Sequence, residues 1–209
     1  MFPTQQTELD LLQRYRWVIS LDEVGRGALA GPVAVGAVKV DAELLSCAPA
    51  GIRDSKLLTR SRRSQLNREI SAWVSPGVGM ASAAEIEEQG IVRALGLAAT
   101  RALESVPDDS VILLDGNQDW LSDRVAVPVQ AKVKADRDCL SVAAASVAAK
   151  VVRDDLMVWL AESHPGYGWE KNAGYSSAQH IAALRELGPS PEHRLSWLTR
   201  ILEEPEPLF

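Results

Sequence analysis

Cysteine is scarce in this sequence, and long apolar runs are missing from it. Its 209 residues include two cysteines, Cys47 and Cys139, which lie far apart and in no metal-ligand spacing. This pattern favours buried free thiols over a disulfide framework or a zinc site, and it fits a reducing compartment. The opening residues lack a basic start followed by an apolar core, and no run reaches the roughly 18 apolar residues of a membrane span. We therefore expect a cytoplasmic chain without a leader or a membrane helix.

Positive charge is also in short supply. Lysine and arginine number 22 against 28 acidic residues, which gives a formal net charge of -6. A negative total argues against nucleic-acid binding, because phosphate contacts depend on cationic side chains. The objection is limited, since carboxylates that hold divalent cations become locally neutral and since several cations lie in or beside the motifs described below. These cations are Arg26, Lys56, Lys132, Lys134, Lys150 and Arg153.

The rest of the composition is that of a folded globular chain. With 46% hydrophobic residues and no repeat or Gly/Ser linker, the sequence predicts one α/β domain with a C-terminal helical appendage. Apolar and β-branched runs predict strands ending at Asp22-Glu23, over 31–40, at Asp115 and around Pro128, with the first two joined as a hairpin. Helical spacing predicts helices over 61–74, 83–105 and 140–161.

Capping signals predict two further helices in the C-terminal part of the chain. One is expected to open at Ser176 with Gln179 as its capping-box partner. The other is expected at Ser190, with Pro191 in its first turn.

Four carboxylates stand at or just after the predicted strand ends. They are Asp22, Glu23, Asp115 and Asp136. Their charge of about -4 would be balanced by two divalent cations, and oxygen ligands without His or Cys suit Mg²⁺ or Mn²⁺ better than zinc. For any one of these acids, a solvated or turn-capping role is the competing interpretation. The pairing of Asp22 with Glu23 after a β-branched run, together with the segment LLDGN, favours a metal site.

The chain resembles the ribonuclease HII family in six segments that occur in family order over residues 17–198. They are SLDEVGRG, RDSKLLT, LLDGN, KADRDCLSVAAASVAAKVVRD, HPGYGWEKNAGY and LGPSPEHRLSW. The resemblance implies an RNase H-like fold with a mixed five-stranded sheet flanked by helices. It divides the chain into a lead-in (1–16), a catalytic core (17–162) and a substrate-binding loop with a helical cap (163–209).

The resemblance also implies a metal-dependent endoribonuclease. The expected activity is hydrolysis of the RNA strand of RNA/DNA hybrids and incision 5′ of single ribonucleotides in duplex DNA, for ribonucleotide removal. Two divalent cations held by the four acids would activate water and stabilise the leaving oxygen, leaving 5′-phosphate and 3′-hydroxyl ends. Asp22 is the expected bridging ligand.

Further residues of the resembling segments are expected to bind substrate. Gly25-Arg26-Gly27 would contact the ribose 2′-hydroxyl, although Gly-x-Gly alone favours a plain tight turn and only its position after Asp22-Glu23 raises the binding role. Tyr175 would stack on the neighbouring deoxyribose, with a packing role as the alternative. The pairs Ser55-Lys56 and Ser146-Lys150 would lie near phosphates, with a turn and a surface patch as their respective alternatives.

Two departures from the family pattern bear on the site. Ala173 stands where a lysine is commoner, which removes a positive charge near Tyr175. Ala135 stands where glycine is usual, and KADRD holds two candidate acids, of which the family register selects Asp136. Asp138 is instead expected to favour the start of the following helix.

Rival interpretations remain at this point. Ribonuclease HIII would carry an additional N-terminal domain and a glutamate as fourth acid, and a non-catalytic hybrid-binding module would not need all four acids. His164, His180 and His193 share no metal spacing and are expected to be structural. The expected partners are RNA/DNA hybrids and DNA duplexes with embedded ribonucleotides, with no membrane, and the chain is expected to be a monomer. Leu208-Phe209 is a candidate contact for a replication clamp, with a frayed terminus as the alternative.

Overall fold

The computed structural model describes residues 2–203 and is built on one five-stranded sheet. The strands are β1 (Trp17–Val24), β2 (Val33–Val40), β3 (Gly77–Ala81), β4 (Ser110–Asp115) and β5 (Val129–Lys132). Their order is β3-β2-β1-β4-β5. Strand β2 is antiparallel to both β1 and β3, whereas β1, β4 and β5 are parallel. The predicted mixed five-stranded sheet is confirmed.

Ten α-helices flank or extend this sheet in the described part of the chain. They are α1 (Gln6–Leu12), α2 (Ala42–Ser46), α3 (Arg60–Trp73), α4 (Ala83–Gln89), α5 (Ile91–Ala102), α6 (Ala135–Asp138), α7 (Leu140–Ser163), α8 (Trp169–Asn172), α9 (Ala178–Leu187) and α10 (Thr199–Glu203). Short 3₁₀ helices cover Ser55–Leu57, Ser122–Arg124 and Leu195–Trp197.

The two faces of the sheet are covered by different helices because side chains alternate along each strand. Val18 and Leu113 pack with α3 and the first half of α7 in one core. Ile19 and Leu21 face the opposite way and pack with α5 in a second core. The sheet is therefore the middle layer between α7 and α5.

Helix α7 lies very close to the centre of the sheet. A Cβ placed on Gly36 of β2 would come within 2.2 Å of the Ala145 carbonyl oxygen of α7. Gly36 is paired in register with Asp22 of β1. The small residues of α7 therefore bring its backbone against the sheet at the level of the acidic strand end.

A third apolar cluster joins the C-terminal part of the chain to the far half of α7. Met157 and Leu160 of α7 pack there with Trp169, Leu184 and Leu198. This packing fixes the C-terminal segments beside the loop that follows β1, since Leu29 and Ala30 belong to the same cluster.

Two predicted elements differ from the structure. Edge strand β3 was not predicted, because GVGMA is short and contains two glycines, which are depleted in strands. The single helix expected over 83–105 is two helices, α4 and α5. They meet at Gly90, whose φ of 79° ends the first helix.

The predicted C-terminal helix starts were also displaced. Helix α9 is capped by Ser177, whose side chain accepts from the His180 amide, so Ser176 with Gln179 was the wrong assignment. No helix begins at Ser190. The Ser190 amide donates a hydrogen bond to His193 Nδ1, and the Ser190 hydroxyl lies within hydrogen-bond distance of the same atom. A 3₁₀ helix follows only at Leu195. Local hydrogen bonding of Ser190 competes with helix initiation there.

Three remaining expectations concern the cysteines, the membrane and the terminus. Cys139 is buried as predicted, but Cys47 is exposed, because it follows the short surface helix α2. Between residues 2 and 203, no helix has the length and apolarity to cross a membrane. The Leu208-Phe209 pair lies outside the described residues.

Candidate active site

Asp22 and Glu23 lie near the carboxyl end of the central strand β1. Asp22 is 3% exposed, and Glu23 is half-buried. A strand alternates its side chains, so the two carboxyl groups leave β1 on opposite sides and frame the end of the sheet.

Asp115 is the last residue of β4, which runs parallel to β1 beside it. Parallel neighbours bring their carboxyl ends to the same edge of the sheet. One carboxylate oxygen from each of Asp22, Glu23 and Asp115 lies within 4.8 Å of the others. These three acids, predicted from separate motifs, form one cluster.

Asp136 lies beside this cluster, at the start of α6. The backbone amides of Ala135 and Asp136 donate to Asp115 Oδ1 at 2.6 and 3.3 Å, which ties α6 to the end of β4. The Asp136 carboxylate, 7% exposed, accepts a hydrogen bond from Lys56 Nζ at 3.0 Å. The residue with left-handed backbone geometry in this segment is Lys134, whose φ is 61°. Ala135 is the first residue of α6, so the alanine in place of the usual glycine causes no backbone strain.

The electrostatics of the cluster are those of a site that needs positive charge. Burial raises the pKa of Asp22 well above its ordinary value, and Glu23, Asp115 and Asp136 raise it further, against the opposing effect of the Ser146 hydroxyl. Burial and Asp115 likewise raise the pKa of Glu23, and burial and Asp136 that of Asp115. Among the described residues, buried Glu23 Oε2 has no hydrogen-bond partner. Clustered hard oxygens with unmet charge fit a divalent cation such as Mg²⁺ or Mn²⁺.

The predicted Gly25-Arg26-Gly27 loop follows these acids directly. Gly25 has φ of 85°, and a Cβ there would lie 2.1 Å from Arg153 Nε, so only glycine fits. Arg26 reaches back to Glu23 at 3.7 Å and donates to Gln118 Oε1 at 2.6 Å. Gly27 is exposed, and a Cβ on it would meet no atom within 4 Å.

Tyr175 contacts this loop from the C-terminal part of the chain. Its hydroxyl accepts a hydrogen bond from the Gly25 amide at 3.0 Å, and its side chain is partly exposed. Lys150 Nζ and the Arg153 guanidinium lie 5.6 and 5.4 Å from the ring centroid. The aromatic ring thus lies beside the Gly25-Arg26-Gly27 loop.

Ser55 and Ser146 are buried beneath the acids. Each is 1% exposed, and their hydroxyl oxygens lie 2.9 Å apart in a hydrogen bond. A phosphate contact by either serine would require this pair to separate. Their neighbours Lys56 and Lys150 reach the surface, although Lys150 is also paired with Asp154 at 2.7 Å.

Two buried arginines hold the loop that follows β1, and the sequence had not assigned them this role. Arg194 donates to the carbonyls of Gly25 at 2.7 Å and Arg26 at 2.8 Å. Arg153 donates to the carbonyls of Ala30, Pro32 and Ala173. Arg153 is fully buried, so it belongs to this support and not to the cationic surface with which it had been grouped. The segment EHRLSW was the only signal for Arg194.

The family model described as ribonuclease HII matches residues 19–200. A ribonuclease HII of Paracoccus denitrificans (strain Pd 1222) is 48% identical over 87% of this chain and 85% of that protein. A ribonuclease HII of Streptomyces coelicolor is 47% identical over 86% of this chain and 76% of that protein.

Solved structures of ribonucleases H2, HII and HIII share the fold of this chain. The ribonuclease H2 of Pyrococcus horikoshii OT3 superposes with a TM-score of 0.69 at 26% identity, covering 90% of this chain and 97% of that one. The RNase HII of Archaeoglobus fulgidus, solved as a complex with PCNA, gives 0.73 at 27% identity, with 90% and 98% covered. Bst-RNase HIII in complex with Mn²⁺ shares the fold with a TM-score of 0.70 at 20% identity, covering 95% of this chain and 74% of that one.

Proposed function

Since the chain belongs to the ribonuclease HII family, whose members are metal-dependent ribonucleases of RNA/DNA hybrids, we propose that it also incises duplex DNA 5′ of a single embedded ribonucleotide. The observation that carries this proposal is the cluster of Asp22, Glu23 and Asp115 beside the Gly25 loop. The biological role that follows is the removal of ribonucleotides from DNA.

Asp22, Glu23, Asp115 and Asp136 are the proposed ligands of two divalent cations, Mg²⁺ or Mn²⁺. Bound cations of this kind supply activation of a water molecule and stabilisation of the leaving oxygen, so that the ends are 5′-phosphate and 3′-hydroxyl. Asp22 is the proposed shared ligand because it is the most buried of the three clustered acids and is flanked by the others. Lys56 Nζ donates a hydrogen bond to the Asp136 carboxylate at 3.0 Å.

The loop of Gly25, Arg26 and Gly27 is the proposed detector of the ribose. The 2′-hydroxyl is what separates RNA from DNA at one nucleotide, and main-chain groups reach it best where no Cβ intervenes. Arg194 and Tyr175 fix the Gly25 carbonyl and amide, which makes the loop rigid. A rigid loop discriminates by geometry, because a misplaced sugar cannot be accommodated by loop movement.

Tyr175 and two lysines are the proposed contacts on either side of the ribonucleotide. We propose that the partly exposed Tyr175 ring stacks on the deoxyribose that follows the ribonucleotide, which would favour an RNA-to-DNA junction. Lys56 and Lys150 are the proposed phosphate contacts, since Lys56 Nζ bonds Asp136 and Lys150 Nζ lies 5.6 Å from the centroid of the Tyr175 ring.

Cleavage of a labelled DNA duplex containing one ribonucleotide, with Mg²⁺ and with Mn²⁺, tests this proposal. We expect one cut on the 5′ side of the ribonucleotide. The downstream product should carry a 5′-phosphate, which ligation of that end detects. No cut is expected when the 2′-hydroxyl is replaced by hydrogen. A long RNA/DNA hybrid serves as the substrate for the family activity.

Each other outcome points to a rival. Cleavage of the hybrid without cleavage at the single ribonucleotide would reject junction recognition and leave a general hybrid nuclease. Equal cleavage of the all-DNA duplex would reject the role of the Gly25 loop. Binding of both substrates without any cleavage would indicate a non-catalytic hybrid-binding module.

Assembly is a separate part of the proposal. The Archaeoglobus fulgidus relative was solved in complex with PCNA, and Leu208-Phe209 is the segment of this chain that we propose for a similar clamp contact. We propose that the enzyme otherwise acts as a monomer, because the clustered acids and the loop come from one chain.

A further inference from the structure

The residues before the sheet form an arm that packs against the segment joining α6 to α7. Thr4 pairs with Cys139, and helix α1 follows at Gln6. Glu8 of this helix is 0% exposed, although its neighbours Leu9 and Asp10 are exposed. A buried carboxylate is costly and needs compensation. Glu8 lies outside residues 19–200, which the family model matches.

Glu8 meets the first turn of α7. Its Oε1 accepts hydrogen bonds from the Ser141 amide at 2.8 Å and the Ser141 hydroxyl at 2.7 Å. The residue preceding the helix, Cys139, makes no side-chain capping bond to any described residue. The first amides of a helix lack partners within it and favour negative charge. Glu8 therefore supplies, from 133 residues away, the cap that α7 lacks locally.

The same contact reaches the strand that bears the acids. The Ser141 and Ser20 hydroxyl oxygens lie 2.6 Å apart, and all three of Glu8, Ser20 and Ser141 are completely buried. Ser20 precedes Asp22 by two residues on β1, so both side chains are on the α7 face of the sheet. Glu8 thus joins the start of α7 to the strand that carries Asp22.

The backbone of the arm holds the segment between Asp136 and α7. The Thr4 amide donates to the Asp138 carbonyl at 3.0 Å, and the Leu140 amide donates to the Thr4 carbonyl at 3.0 Å. These bonds lie on both sides of Cys139, where α6 ends and α7 begins. Asp136 is two residues before the first of them.

We propose that Glu8 is a positioning residue for Asp136, which it holds at the metal cluster by fixing the junction of α6 and α7 to β1. The inference rests on the proposed role of Asp136 as a metal ligand. It extends that role, because the placement of Asp136 would then depend on a residue that lies outside the family motifs.

A purely stabilising contact would not require a carboxylate here. Among the described residues, Glu8 Oε2 has no hydrogen-bond partner, and burial raises the pKa of the Glu8 carboxyl despite the Ser141 bonds. A buried acid with an unmet oxygen stabilises less than a well-packed apolar side chain of similar volume. Its directional bonds to Ser141 are what an apolar residue cannot supply.

The test compares Glu8→Ala and Glu8→Gln with Asp10→Ala as a matched control on the exposed side of the same helix. We measure kcat, KM and the Mn²⁺ concentration that gives half-maximal turnover, on the single-ribonucleotide duplex and below the melting temperature of every variant. Glu8→Ala is expected to lower kcat about 10-fold and raise the Mn²⁺ requirement with KM nearly unchanged. Glu8→Gln, which retains an acceptor oxygen, should restore kcat to within about threefold, and Asp10→Ala should match the wild type.

A double-mutant cycle with Asp136→Asn identifies the route of the effect. If Glu8 acts through Asp136, Glu8→Ala should change the turnover of Asp136→Asn less than about twofold while still lowering its melting temperature. Losses that multiply would overturn the positioning role and leave the proposed function standing. Wild-type turnover of Asp136→Asn alone would instead reject Asp136 as a ligand.

Ser141→Ala is the second variant, for the case in which Glu8→Ala does not fold. It removes the hydroxyl link to Glu8 and Ser20 but leaves the amide bond, so a smaller loss of kcat with the same coupling to Asp136→Asn is expected. An unchanged kcat and Mn²⁺ requirement in Ser141→Ala, together with a lowered melting temperature, would show Glu8 to be structural only.

Discussion

The Tyr175 hydroxyl accepts a hydrogen bond from the Gly25 amide at 3.0 Å, across 150 residues of sequence. Sequence reasoning assigned Tyr175 a stacking ring, for which the hydroxyl would be dispensable. In the structure the hydroxyl also helps to hold the loop, because Tyr175 bonds the Gly25 amide while Arg194 bonds the Gly25 carbonyl. Both polar groups of the first loop residue are therefore fixed.

Tyr175→Phe is expected to lower kcat/KM on the single-ribonucleotide duplex by about 2- to 10-fold, the equivalent of one lost hydrogen bond. Tyr167→Phe is the matched control, since it removes a hydroxyl that donates to the Gly188 carbonyl away from the acids. Wild-type activity of Tyr175→Phe would show that the loop does not need the hydroxyl. Tyr175→Ala should lose more, and selectively at the junction, because it also removes the ring.

Asp22→Asn is expected to abolish cleavage and to raise the melting temperature of the metal-free protein. Burial and three neighbouring acids raise the pKa of Asp22, so its ionised form opposes folding when no cation is bound. Each kcal/mol of repulsion relieved corresponds to about 2 to 4 °C in a protein of this size. Steady-state cleavage with Mg²⁺ and calorimetry in EDTA measure the two effects.

Asp123→Asn is the control for this substitution, because Asp123 is exposed and belongs to a surface 3₁₀ helix. It should leave both activity and melting temperature unchanged. Retention of more than about a tenth of wild-type turnover by Asp22→Asn at saturating Mg²⁺ would exclude Asp22 as an essential ligand.

His180 and His193 form a buried pair whose hydrogen bonds require both rings to be neutral. Their Nε2 atoms lie 3.0 Å apart, and His180 Nε2 also accepts from Trp169 Nε1 at 3.1 Å. His180 Nδ1 faces the Tyr175 carbonyl, and His193 Nδ1 faces the Ser190 amide. His180 is therefore protonated on Nδ1 and His193 on Nε2. An additional proton on His180 Nε2 would face the proton on His193 Nε2. An additional proton on His193 Nδ1 would face the N–H of the Ser190 amide.

We expect this pair to destabilise the protein as the pH falls below neutrality. Burial, then the neighbouring His180, lowers the pKa of His193 from 6.5 to about 4. A base with a lowered folded pKa binds more protons when unfolded, so its stabilising contribution is complete above pH 6.5 and is lost toward pH 4. Between pH 7 and pH 5 the loss should be on the order of 1 kcal/mol.

Urea unfolding of the wild type and of His193→Gln at both pH values measures this contribution. The variant should be less stable at pH 7 but should lose less stability on acidification. Comparison with the variant removes the contribution of the clustered acids, whose raised pKa values act in the opposite direction. Equal pH dependence of the two proteins would show that His193 is not the group that titrates.

Strands β1, β2, β4 and β5 and the acidic cluster could be predicted because they depend on local pattern, whereas β3 had no such signal and the five-stranded sheet was implied by the family resemblance. Val18 and Ile19 form a β-branched run into Asp22, and LLDGN ends a second buried run at Asp115. Parallel strand ends converge by geometry, so placing the two runs side by side placed their acids together. The loop glycine was found for the same reason, since Gly25 directly follows the first run.

Contacts between distant segments could not be predicted from such patterns. Arg194 and Glu8 bond backbone groups that lie 169 and 133 residues away. Every residue has such backbone groups, so the sequence does not indicate which of them a distant side chain will bond. Ser55 was assigned to phosphates from the family motif and Ser146 from the helix face that it shares with Lys150, yet the fold buries both hydroxyls together. Burial of a polar residue depends on tertiary packing, which a single sequence does not display.

Asp136 and Asp138 occupy one short helix but different environments. Asp136 is buried and bonded to Lys56, and its amide holds Asp115. Asp138 is paired with its neighbour Arg137 at 2.7 Å on the surface, which lowers the pKa of Asp138. The Ser141 amide at the start of α7 is bonded by Glu8 and not by Asp138, so the capping role expected for Asp138 was wrong.

The two acids should therefore respond differently to the same change. Asp136→Asn is expected to cut turnover by about 100-fold or more, because the amide keeps the size of the side chain but not its negative charge. Asp138→Asn removes only an exposed ion pair, which is worth about 0 to 1 kcal/mol, and should leave turnover within about twofold of the wild type. Parallel kinetics and melting curves of the two variants decide between the acids. A large loss of turnover in Asp138→Asn with none in Asp136→Asn would move the fourth ligand to Asp138 and would require α6 to rotate on metal binding.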